Sequence, residues 1–306
     1  EILSGLVGSE MCIRDRPKVA HRTSPTNIGM YLLSIIAAHD FDWIDLNNAL
    51  NRIKNCFNSI EKMQKYKGHL YNWYNTKTLE PLVPFTISTV DSGNLAGHLI
   101  ALAGALSCWA KKDNVNVNLK LQAQDLSTQA RSLAYNMKFD FLLNKKRELL
   151  SIGFDINSQK LMTGDYDMLA SESRLSYFFA IAKGDIKPDI WQRLGRFLTC
   201  LQGKAALLSW SGSMFEYLMP PLILRESAKT LLGQTNNLII KTQKLYGKRN
   251  KKPWGISEAA FNAFDSNLNY QYSNFGVPEL GLQRTLAQNY VCLLYTSDAA
   301  DDMQCV

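Results

Sequence analysis

The sequence predicts an all-α fold arranged as one toroid of antiparallel helix pairs. Apolar residues recur at three- and four-residue steps in several long segments, for example Leu46–Ile60 and Leu95–Leu106, which is the period of an amphipathic helix. The two-residue alternation of a strand is confined to 83–90 and 150–156. No Pro-rich or low-complexity linker divides the chain, and its length of 306 residues allows one large domain, so one toroid is predicted and not two domains.

The first helix is the best defined by its own residues. Ser24 is a favourable N-cap and Pro25 suits the first helical position, and the apolar period continues to about His39. The same criteria predict further helices at about 46–60, 95–106, 126–137, 168–182, 188–197, 213–225, 230–247, 256–263 and 279–287.

The loops between these helices are unusual in composition. They are crowded with Trp, Tyr, Asn, Ser and Gly, and long loops on a rigid scaffold are where an active site is expected. These loops are 69–84, 208–213, 251–258 and 270–278.

Both ends of the chain differ from the rest. Residues 5–16 (GLVGSEMCIRDR) and 292–302 (CLLYTSDAADD) resemble peptides translated from sequencing-adapter DNA. Residues 1–16 and 292–306 are therefore expected to be artefacts, and 17–291 to form the domain. Without these ends, an odd and widely spaced set of three cysteines remains, with no CxxC spacing, which is typical of a reduced intracellular protein.

Charge and motif content exclude several classes. The net charge is +7, but the basic clusters at 145–147 and 248–252 have no interleaved aromatic residues, so no nucleic-acid partner is predicted. No apolar run reaches the length of a membrane span, and the fragment itself is expected to be soluble. The four histidines show no metal-ligand spacing, and phosphate- and dinucleotide-binding fingerprints are missing, so we expect no metal and no cofactor.

Three glutamates stand in apolar or aromatic surroundings: Glu172, Glu216 and Glu258. A carboxylate is costly there unless it is paired or hydrogen-bonded. A helix N-terminal charge or a core salt bridge would explain any one of them. Three such sites beside aromatic loops instead favour glycoside chemistry, which uses two carboxyl groups across the scissile bond.

Loop aromatics supply the second part of the predicted site. A ring with a polar edge offers an apolar face to a pyranose and a hydrogen bond at its rim, although packing beneath the toroid would use the same residues. Some of the polar candidates, Asp91 and Asn94 among them, could equally be part of a plain helix cap. The predicted substrate-binding residues are Arg22, Asn27, Tyr71, Trp73, Asp91, Asn94, Arg174, Trp210, Ser211, Glu216, Tyr217, Trp254, Asn262, Tyr270 and Tyr272.

Six segments, taken in their order along the chain, are more specific than any single short motif. They are Arg22–Gly29 (RTSPTNIG), His69–Tyr74 (HLYNWY), Val90–His98 (VDSGNLAGH), Ala205–Pro220 (AALLSWSGSMFEYLMP), Trp254–Glu258 (WGISE) and Tyr270–Pro278 (YQYSNFGVP). Together they resemble one known family, the glucoamylase-like domain of bacterial cyclic β-1,2-glucan synthases. The resemblance extends from about Pro17 to Val291.

The resemblance implies an (α/α)6 toroid related to endo-β-1,2-glucanases. It also implies a retaining transglycosylase that cuts linear β-1,2-glucan and joins the ends into a ring, with Glu258 as nucleophile, Glu172 as acid/base and Glu216 as a binding or electrostatic neighbour. Relatives continue after Leu280–Arg284 with another barrel helix, so this chain is expected to lack its final helix.

The implied partners are β-1,2-glucan and the glycosyltransferase and phosphorylase-like domains of a longer polypeptide. That polypeptide would act at the cytoplasmic face of the bacterial inner membrane. Two alternatives stay open: an endo-β-1,2-glucanase-type hydrolase with the same glutamates, and a non-catalytic glucan-binding domain. Hydrolysis and transfer begin with the same glycosyl-enzyme, so the residues do not separate them.

Overall fold

The computed structural model describes residues 21–113, 115–264, 270–273 and 275–282. The expectations for residues 1–16 and 292–306, and for a helix beyond residue 282, lie outside this range. The chain divides into two compact units, Glu1–Asp165 with Leu175–Arg193 (unit 1) and Tyr166–Arg174 with Leu194–Val306 (unit 2).

The described chain is rich in helix. The α-helices are α1 (Pro25–Asp40), α2 (Leu46–Lys62), α3 (Thr89–Ala110), α4 (Val117–Asn136), α5 (Arg174–Lys183), α6 (Asp189–Arg193), α7 (Met214–Leu218) and α8 (Leu231–Arg249), with 3-10 turns at Asp140–Leu142, Pro220–Leu222 and Pro278–Leu280.

Short strands accompany the helices. They are β1 (Arg22–Thr23), β2 (Lys65–Tyr66), β3 (His69–Leu70), β4 (Tyr74–Asn75), β5 (Thr86–Ser88), β6 (Leu143–Asn144), β7 (Leu149–Leu150), β8 (Gly153–Asp155), β9 (Lys160–Leu161), β10 (Leu198–Leu201), β11 (Lys204–Leu207), β12 (Ala259–Phe264) and β13 (Tyr270–Ser273). All their pairings are antiparallel: β1–β4, β2–β3, β5–β8–β9, β6–β7, β10–β11 and β12–β13.

Helix α1 begins as the sequence predicts. Ser24 is its N-cap, and the hydroxyl of Ser24 accepts a hydrogen bond from the backbone N–H of Asn27 at 3.2 Å. Pro25 follows at the first position, where its missing N–H costs nothing because that group has no intrahelical partner. This prediction is confirmed.

Helix α3 is the centre of unit 1, packed between α1 and α4. By length and composition it alone, among the described residues, could cross a membrane, and 67% of that stretch is buried in the structure. Gly, Ser, His and Asn interrupt the apolar residues of this helix, so its sequence did not predict a membrane span. Burial of this kind is typical of a core helix.

A close approach in unit 1 joins α1 to α3. A Cβ added to Gly29 would lie 2.2 Å from His98 Nδ1, so only glycine lets the imidazole pack against the backbone of α1. His98 is fully buried, and neither ring nitrogen has a hydrogen-bond partner among the described residues. Burial without a partner disfavours the imidazolium and lowers the pKa of His98 to about 4.

Two predicted elements of unit 2 are corrected. Of the helix predicted at 256–263, residues 259–263 lie in strand β12, which pairs with β13. The helix propensity of its alanines is a weak preference that tertiary pairing overrides. Instead of a helix over 213–225, α7 ends at Leu218 and Pro220–Leu222 forms a 3-10 turn, because consecutive prolines cannot continue the α-helical hydrogen bonds.

Other predicted bounds are too long. The helix predicted at 168–182 begins only at Arg174, and the one predicted at 188–197 ends at Arg193. The hairpin β10–β11 then follows, turning at Gln202 and Gly203, both with positive φ. Gly203 was the signal for this turn, since two-residue hairpin loops favour positive φ at both positions.

The buried imidazole of His98 predicts acid sensitivity. An unfolded histidine binds its proton near pH 6.5, whereas folded His98 binds it only near pH 4, so stability is lost as the pH falls between these values. His98→Met should reduce the loss of unfolding free energy between pH 7 and pH 5 by about 1–2 kcal/mol. Urea unfolding at both pH values measures this difference.

The matched control is Leu99→Met, which also alters a buried side chain of α3 but leaves the imidazole in place. It should keep the wild-type pH dependence. An unchanged pH dependence in His98→Met would contradict the assignment.

Candidate active site

A buried carboxylate, Glu216, organises the loops of unit 2. Ser213 caps α7 and forms a capping box with Glu216. The Ser213 hydroxyl accepts from the backbone N–H of Glu216, and the Glu216 carboxylate accepts from the backbone N–H of Ser213. This pairing explains why Glu216 lies inward, with 3% of its surface exposed. An isolated carboxylate at that depth would be strongly disfavoured.

Serines satisfy the Glu216 carboxylate from two segments of chain. Oε2 accepts from the hydroxyls of Ser209 and Ser211, each at 2.7 Å, and from the N–H groups of Ser211 at 3.0 Å and Ser213 at 3.3 Å. Oε1 accepts from the N–H of Ser171 at 3.4 Å. We call Glu216 with Ser171, Ser209, Ser211 and Ser213 the serine–glutamate network.

Two opposing effects act on Glu216. Burial raises the pKa of this carboxyl, while the donors from Ser209, Ser211 and Ser171 lower it, and burial is the larger effect. The network therefore offsets part of the cost of burying the carboxylate.

The first of the two predicted catalytic glutamates adjoins this network. Glu172 is 4% exposed and lies two residues before α5. The hydroxyl of the preceding residue, Ser171, donates a short hydrogen bond to Glu172 Oε2. Since Ser171 also donates its N–H to Glu216, one serine contacts both carboxylates.

The second predicted catalytic glutamate is tied to the same network by its backbone. The N–H of Glu258 donates to Ser213 Oγ at 3.3 Å. Ser257 reinforces the contact, because its hydroxyl is 3.0 Å from Ser213 Oγ and accepts from the N–H of Phe215 at 3.1 Å. The side chain of Glu258 is half-buried. Hydrogen bonds thus connect the Glu172 and Glu216 carboxylates and the backbone of Glu258 through Ser171 and Ser213.

Gln243 on α8 fixes the loop that carries Glu258. Its amide oxygen accepts from Ile256 N–H at 2.9 Å, and its amide nitrogen donates to the carbonyls of Ile256 at 3.2 Å and Gly212 at 3.4 Å. Gln243 is fully buried. It therefore clamps the turn before α7 to the loop before Glu258.

Glycines allow the neighbouring backbones to approach. Gly212 has φ +78, and a Cβ there would lie 2.3 Å from the carbonyl oxygen of Val277; a Cβ on Gly276 would lie 2.0 Å from that of Ser211. The segment 276–281 thus packs directly on the turn 211–212. These positions admit no side chain without moving the loops.

Arg174 and Tyr217, both predicted to bind substrate, use their polar atoms in the interior. The guanidinium of Arg174, with no exposed surface, donates to the carbonyls of Glu216 at 2.8 Å and Tyr217 at 2.6 Å and pairs with Glu226 at 3.0 Å. The hydroxyl of Tyr217 donates to Leu280 O at 2.7 Å and accepts from Ser209 N–H at 2.7 Å. Both side chains hold α7 in place.

The loop tryptophans of unit 2 are more accessible. The side chain of Trp210 is 51% exposed, and the backbone N–H of Trp210 donates to Leu169 O at 2.9 Å. Trp254 is half-buried, and Lys244 Nζ lies 4.7 Å from its ring centroid, a cation–π contact that restrains the indole.

Unit 1 holds a separate polar cluster of predicted residues. The guanidinium of Arg22 lies 4.9 Å from the ring centroid of Trp73 and covers one face of that ring. With its amide oriented to satisfy both ends, Asn72 accepts from Trp73 Nε1 at 3.3 Å and donates to Asp91 Oδ2 at 3.2 Å.

The same cluster continues through Thr26. Its hydroxyl donates to Asp91 Oδ1 at 2.5 Å and accepts from Asn94 Nδ2 at 3.0 Å. The N-cap of α3 is Ser88, which accepts from Asp91 N–H at 3.3 Å. Asp91 therefore lies in the first turn, and its side chain connects α3 to α1.

The remaining predicted residues are more dispersed. Tyr71 is buried, and its hydroxyl accepts from Gln64 Nε2 at 3.3 Å. Asn27 is half-buried in the first turn of α1. Three predicted residues lie in β12 and β13 with side chains outside the described part of the chain: Asn262, Tyr270 and Tyr272.

Sequence reasoning missed the residues that assemble these loops, namely Ser171, Ser213 and Gln243. The Ser-x-x-Glu spacing of Ser213 and Glu216 was a readable capping-box signal. Nothing local marks Ser171 or Gln243, because their partners are distant in sequence. Within the described residues no group of three or more His, Cys, Asp or Glu side chains could hold a metal ion.

No family model matches the chain. A curated relative does: the cyclic β-(1,2)-glucan synthase NdvB of Rhizobium meliloti (strain 1021) is 37% identical over 397 residues, which covers 92% of this chain and 14% of the relative. The chain is homologous to one segment of a cyclic β-(1,2)-glucan synthase. The resemblance found in the sequence is confirmed, as is the class of carbohydrate-active enzyme.

The match to the cyclic β-(1,2)-glucan synthase also shows a difference in length. The chain spans about one seventh of the relative. Because the matched 397 residues exceed the 306 of this chain, the relative carries residues within the matched region that this chain lacks.

Solved structures of glucanases share the fold. The endo-β-1,2-glucanase of Chitinophaga pinensis, in complex with sophorotriose and glucose, aligns with a TM-score of 0.68 at 14% identity, over 91% of this chain and 68% of that one. A mutant endo-β-1,2-glucanase of Talaromyces funiculosus with β-1,2-glucan gives 0.72 at 11% identity, over 89% and 62%. The helix-rich glucanase fold is thus confirmed; an (α/α)6 toroid lacking its final helix stays a prediction.

The serine–glutamate network predicts the effect of replacing Glu216. In Glu216→Gln the amide oxygen still accepts from the donors that bond to Oε2. The amide NH2 group takes the place of Oε1 and faces the N–H of Ser171, which cannot donate to it. We expect it to lower the free energy of unfolding by about 1–3 kcal/mol, since a buried donor loses its acceptor. Urea unfolding followed by circular dichroism measures the change.

Glu279→Gln is the control, because Glu279 forms an exposed ion pair with Arg249 at 3.5 Å. It should change stability by less than about 1 kcal/mol. Equal effects of the two substitutions would mean that the network does not stabilise the fold.

Proposed function

We propose that this chain is a retaining transglycosylase that converts linear β-1,2-glucan into cyclic β-1,2-glucan, with Glu258 as nucleophile and Glu172 as acid/base. The observation that carries the proposal is the connection of these two glutamates through Ser171, Glu216 and Ser213. Catalytic pairs need rigid relative placement, and this network supplies it. The name of the synthase relative supports the substrate and the ring product.

In the first step the carboxylate of Glu258 attacks the anomeric carbon and the glycosidic C–O bond breaks. Glu172 gives its proton to the leaving oxygen. In the second step Glu172 takes a proton from an acceptor hydroxyl, whose oxygen displaces Glu258. Two inversions leave a β bond, and Glu172 is again protonated.

Ring closure requires the acceptor to be the non-reducing end of the same glucan. A tethered hydroxyl has a high effective concentration once the chain curls back. Trp210 and Trp254 are suited to hold sugar rings and to keep water from the glycosyl-enzyme. Trp210 has the exposed surface for stacking, and Lys244 restrains Trp254.

The predicted binding residues then divide by role. The interior contacts of Arg174, Tyr217 and Ser211 support a role in holding α7 and Glu216. The polar cluster of unit 1 keeps the polar groups of Arg22, Trp73 and Asp91 near the surface, which supports their proposed role in binding sugar hydroxyls. Asn27, Tyr71, Asn94, Asn262, Tyr270 and Tyr272 complete the proposed binding set.

The surrounding protein is part of the same proposal. Because the match covers only 14% of the synthase relative, we infer that this segment works beside the glycosyltransferase and phosphorylase-like domains of a membrane-associated polypeptide at the cytoplasmic face of the inner membrane. No nucleic-acid partner, metal or cofactor enters the proposed reaction.

Hydrolysis is the second candidate, favoured by the fold shared with endo-β-1,2-glucanases. It uses the same glycosyl-enzyme, with water as acceptor. The distinction depends on how well the aromatic loops exclude water from Glu258.

The glutamate roles are tested by substitution in the full chain. Glu172→Gln and Glu258→Gln should each lower turnover of linear β-1,2-glucan by at least about 10³-fold while binding is retained, because an amide neither moves the proton nor forms the ester. Isothermal titration and product assays measure both properties.

Trp254→Ala should instead weaken binding, by about 5- to 10-fold for one lost stacking face, with a smaller effect on kcat. Glu279→Gln is again the control. Near-normal turnover in either catalytic variant would move that role to Glu216, and retained glucan binding with no turnover in the wild type would indicate a non-catalytic binding domain.

The products separate ring closure from hydrolysis. We expect rings that lack a reducing end and weigh one water less than the linear glucan of equal length, all with β linkages. Mass spectrometry, a reducing-end assay and proton NMR of the anomeric signals test this. Exclusively linear, reducing products would identify a hydrolase, and α-linked products would exclude the retaining mechanism.

A further inference from the structure

We propose that Ser171 is a positioning residue that orients the Glu172 carboxylate and sets the pH at which Glu172 exchanges its proton. The inference rests on the proposed function for its catalytic meaning. It concerns a residue that neither the sequence nor the comparisons single out. Its two donors act on two different carboxylates.

The geometry of Ser171 is specific. Its hydroxyl donates to Glu172 Oε2, and its N–H donates to Glu216 Oε1 at 3.4 Å. One residue thus connects the proposed acid/base to the centre of the serine–glutamate network. A shift of Glu216 would be transmitted to Glu172 through this single backbone position.

The backbone of Ser171 adopts a conformation that serine rarely uses. Its φ is +52, in the left-handed region, where a Cβ is unfavourable. Such residues persist where their surroundings fix them, and they cluster at functional sites. Here the left-handed turn is what directs the hydroxyl to Glu172 while the N–H faces Glu216.

The loop around Ser171 is held independently. The Asp167 carboxylate accepts from the N–H groups of Met168 and Gly195, and the Ser173 hydroxyl donates to Asp167 O at 2.6 Å. The backbone N–H of Trp210 donates to Leu169 O at 2.9 Å. Removing the Ser171 hydroxyl therefore leaves the path of the loop largely supported, so its local effect is measurable.

A hydroxyl that donates to a carboxylate favours the ionised form. Without it, Glu172 would keep its proton to higher pH. We expect the limb of the kcat/KM profile that reports Glu172 to move up by about one pH unit, the size of one charge-assisted hydrogen bond. Ser171 is proposed to touch Glu172 and not the glucan, so kcat should fall about tenfold with KM changed less than about threefold.

Two substitutions distinguish the effect of the Ser171 hydroxyl from the effect of its backbone conformation. Ser171→Gly removes the hydroxyl and suits a positive φ, so the unfolding midpoint should be unchanged or higher. Ser171→Ala removes the same hydroxyl but keeps the strained Cβ. Both should show the same shift of the pH limb, whatever their stabilities.

Ser173→Ala is the matched control, since it removes a neighbouring hydroxyl that bonds only to backbone in the described contacts. Its pH limb should stay at the wild-type position even if its unfolding midpoint falls. Glu216→Gln tests the second contact of Ser171 and should lower kcat without removing glucan binding.

A second readout does not depend on turnover. In protein labelled with ¹³C at glutamate carboxyl groups, Glu172 is assigned by the signal lost in Glu172→Gln, and its titration is compared between wild type and Ser171→Gly. The Ser171→Gly midpoint should again lie about one pH unit higher. If the wild type turns over no β-1,2-glucan, the proposed function fails, while this titration still decides the role of Ser171.

The proposal is overturned if both Ser171 variants keep the wild-type pH limb and the wild-type titration of Glu172. It is also overturned if Ser173→Ala shifts the limb by the same amount, since the effect would then come from loop disturbance.

Discussion

The burial of one carboxylate, Glu216, is the constraint on which the rest of unit 2 depends. A charged group at that depth must gather donors, and the available donors lie on separate stretches of chain: Ser171 before α5, and Ser209, Ser211 and Ser213 before α7. Their convergence on one side chain converts irregular loops into a defined structure. The loop carrying Glu258 joins through Ser213.

This arrangement also explains why the loops need so little regular structure. Around Glu216 several backbone N–H groups bond to side chains. Gln243 likewise bonds the backbone of Ile256 and the carbonyl of Gly212. Arg174 serves the carbonyls at the end of α7 in the same way. Rigid placement of reactive groups on loops is a recurrent solution where chemistry needs varied side chains.

Local signals carried most of what could be predicted from the sequence. Ser24 and Pro25 located the start of α1, and apolar periodicity located the long helices of unit 1, because these depend on neighbours within one or two turns. The glutamates were recognisable as charges in apolar surroundings. Strand β12 was missed since its pairing with β13 is not visible in its own residues, and Ser171 was missed because the chain segment that holds it comes from 45 residues further on.

Ser171 and Ser213 both donate to Glu216, and this shared partner affects how the site tolerates substitutions. Substitutions at these two serines act on the same carboxylate from opposite sides, so their effects should be non-additive, unlike those of residues with no shared partner. Ser209 and Ser211 donate to the same carboxylate, so the effect of replacing any one of these serines depends on which of the others is present.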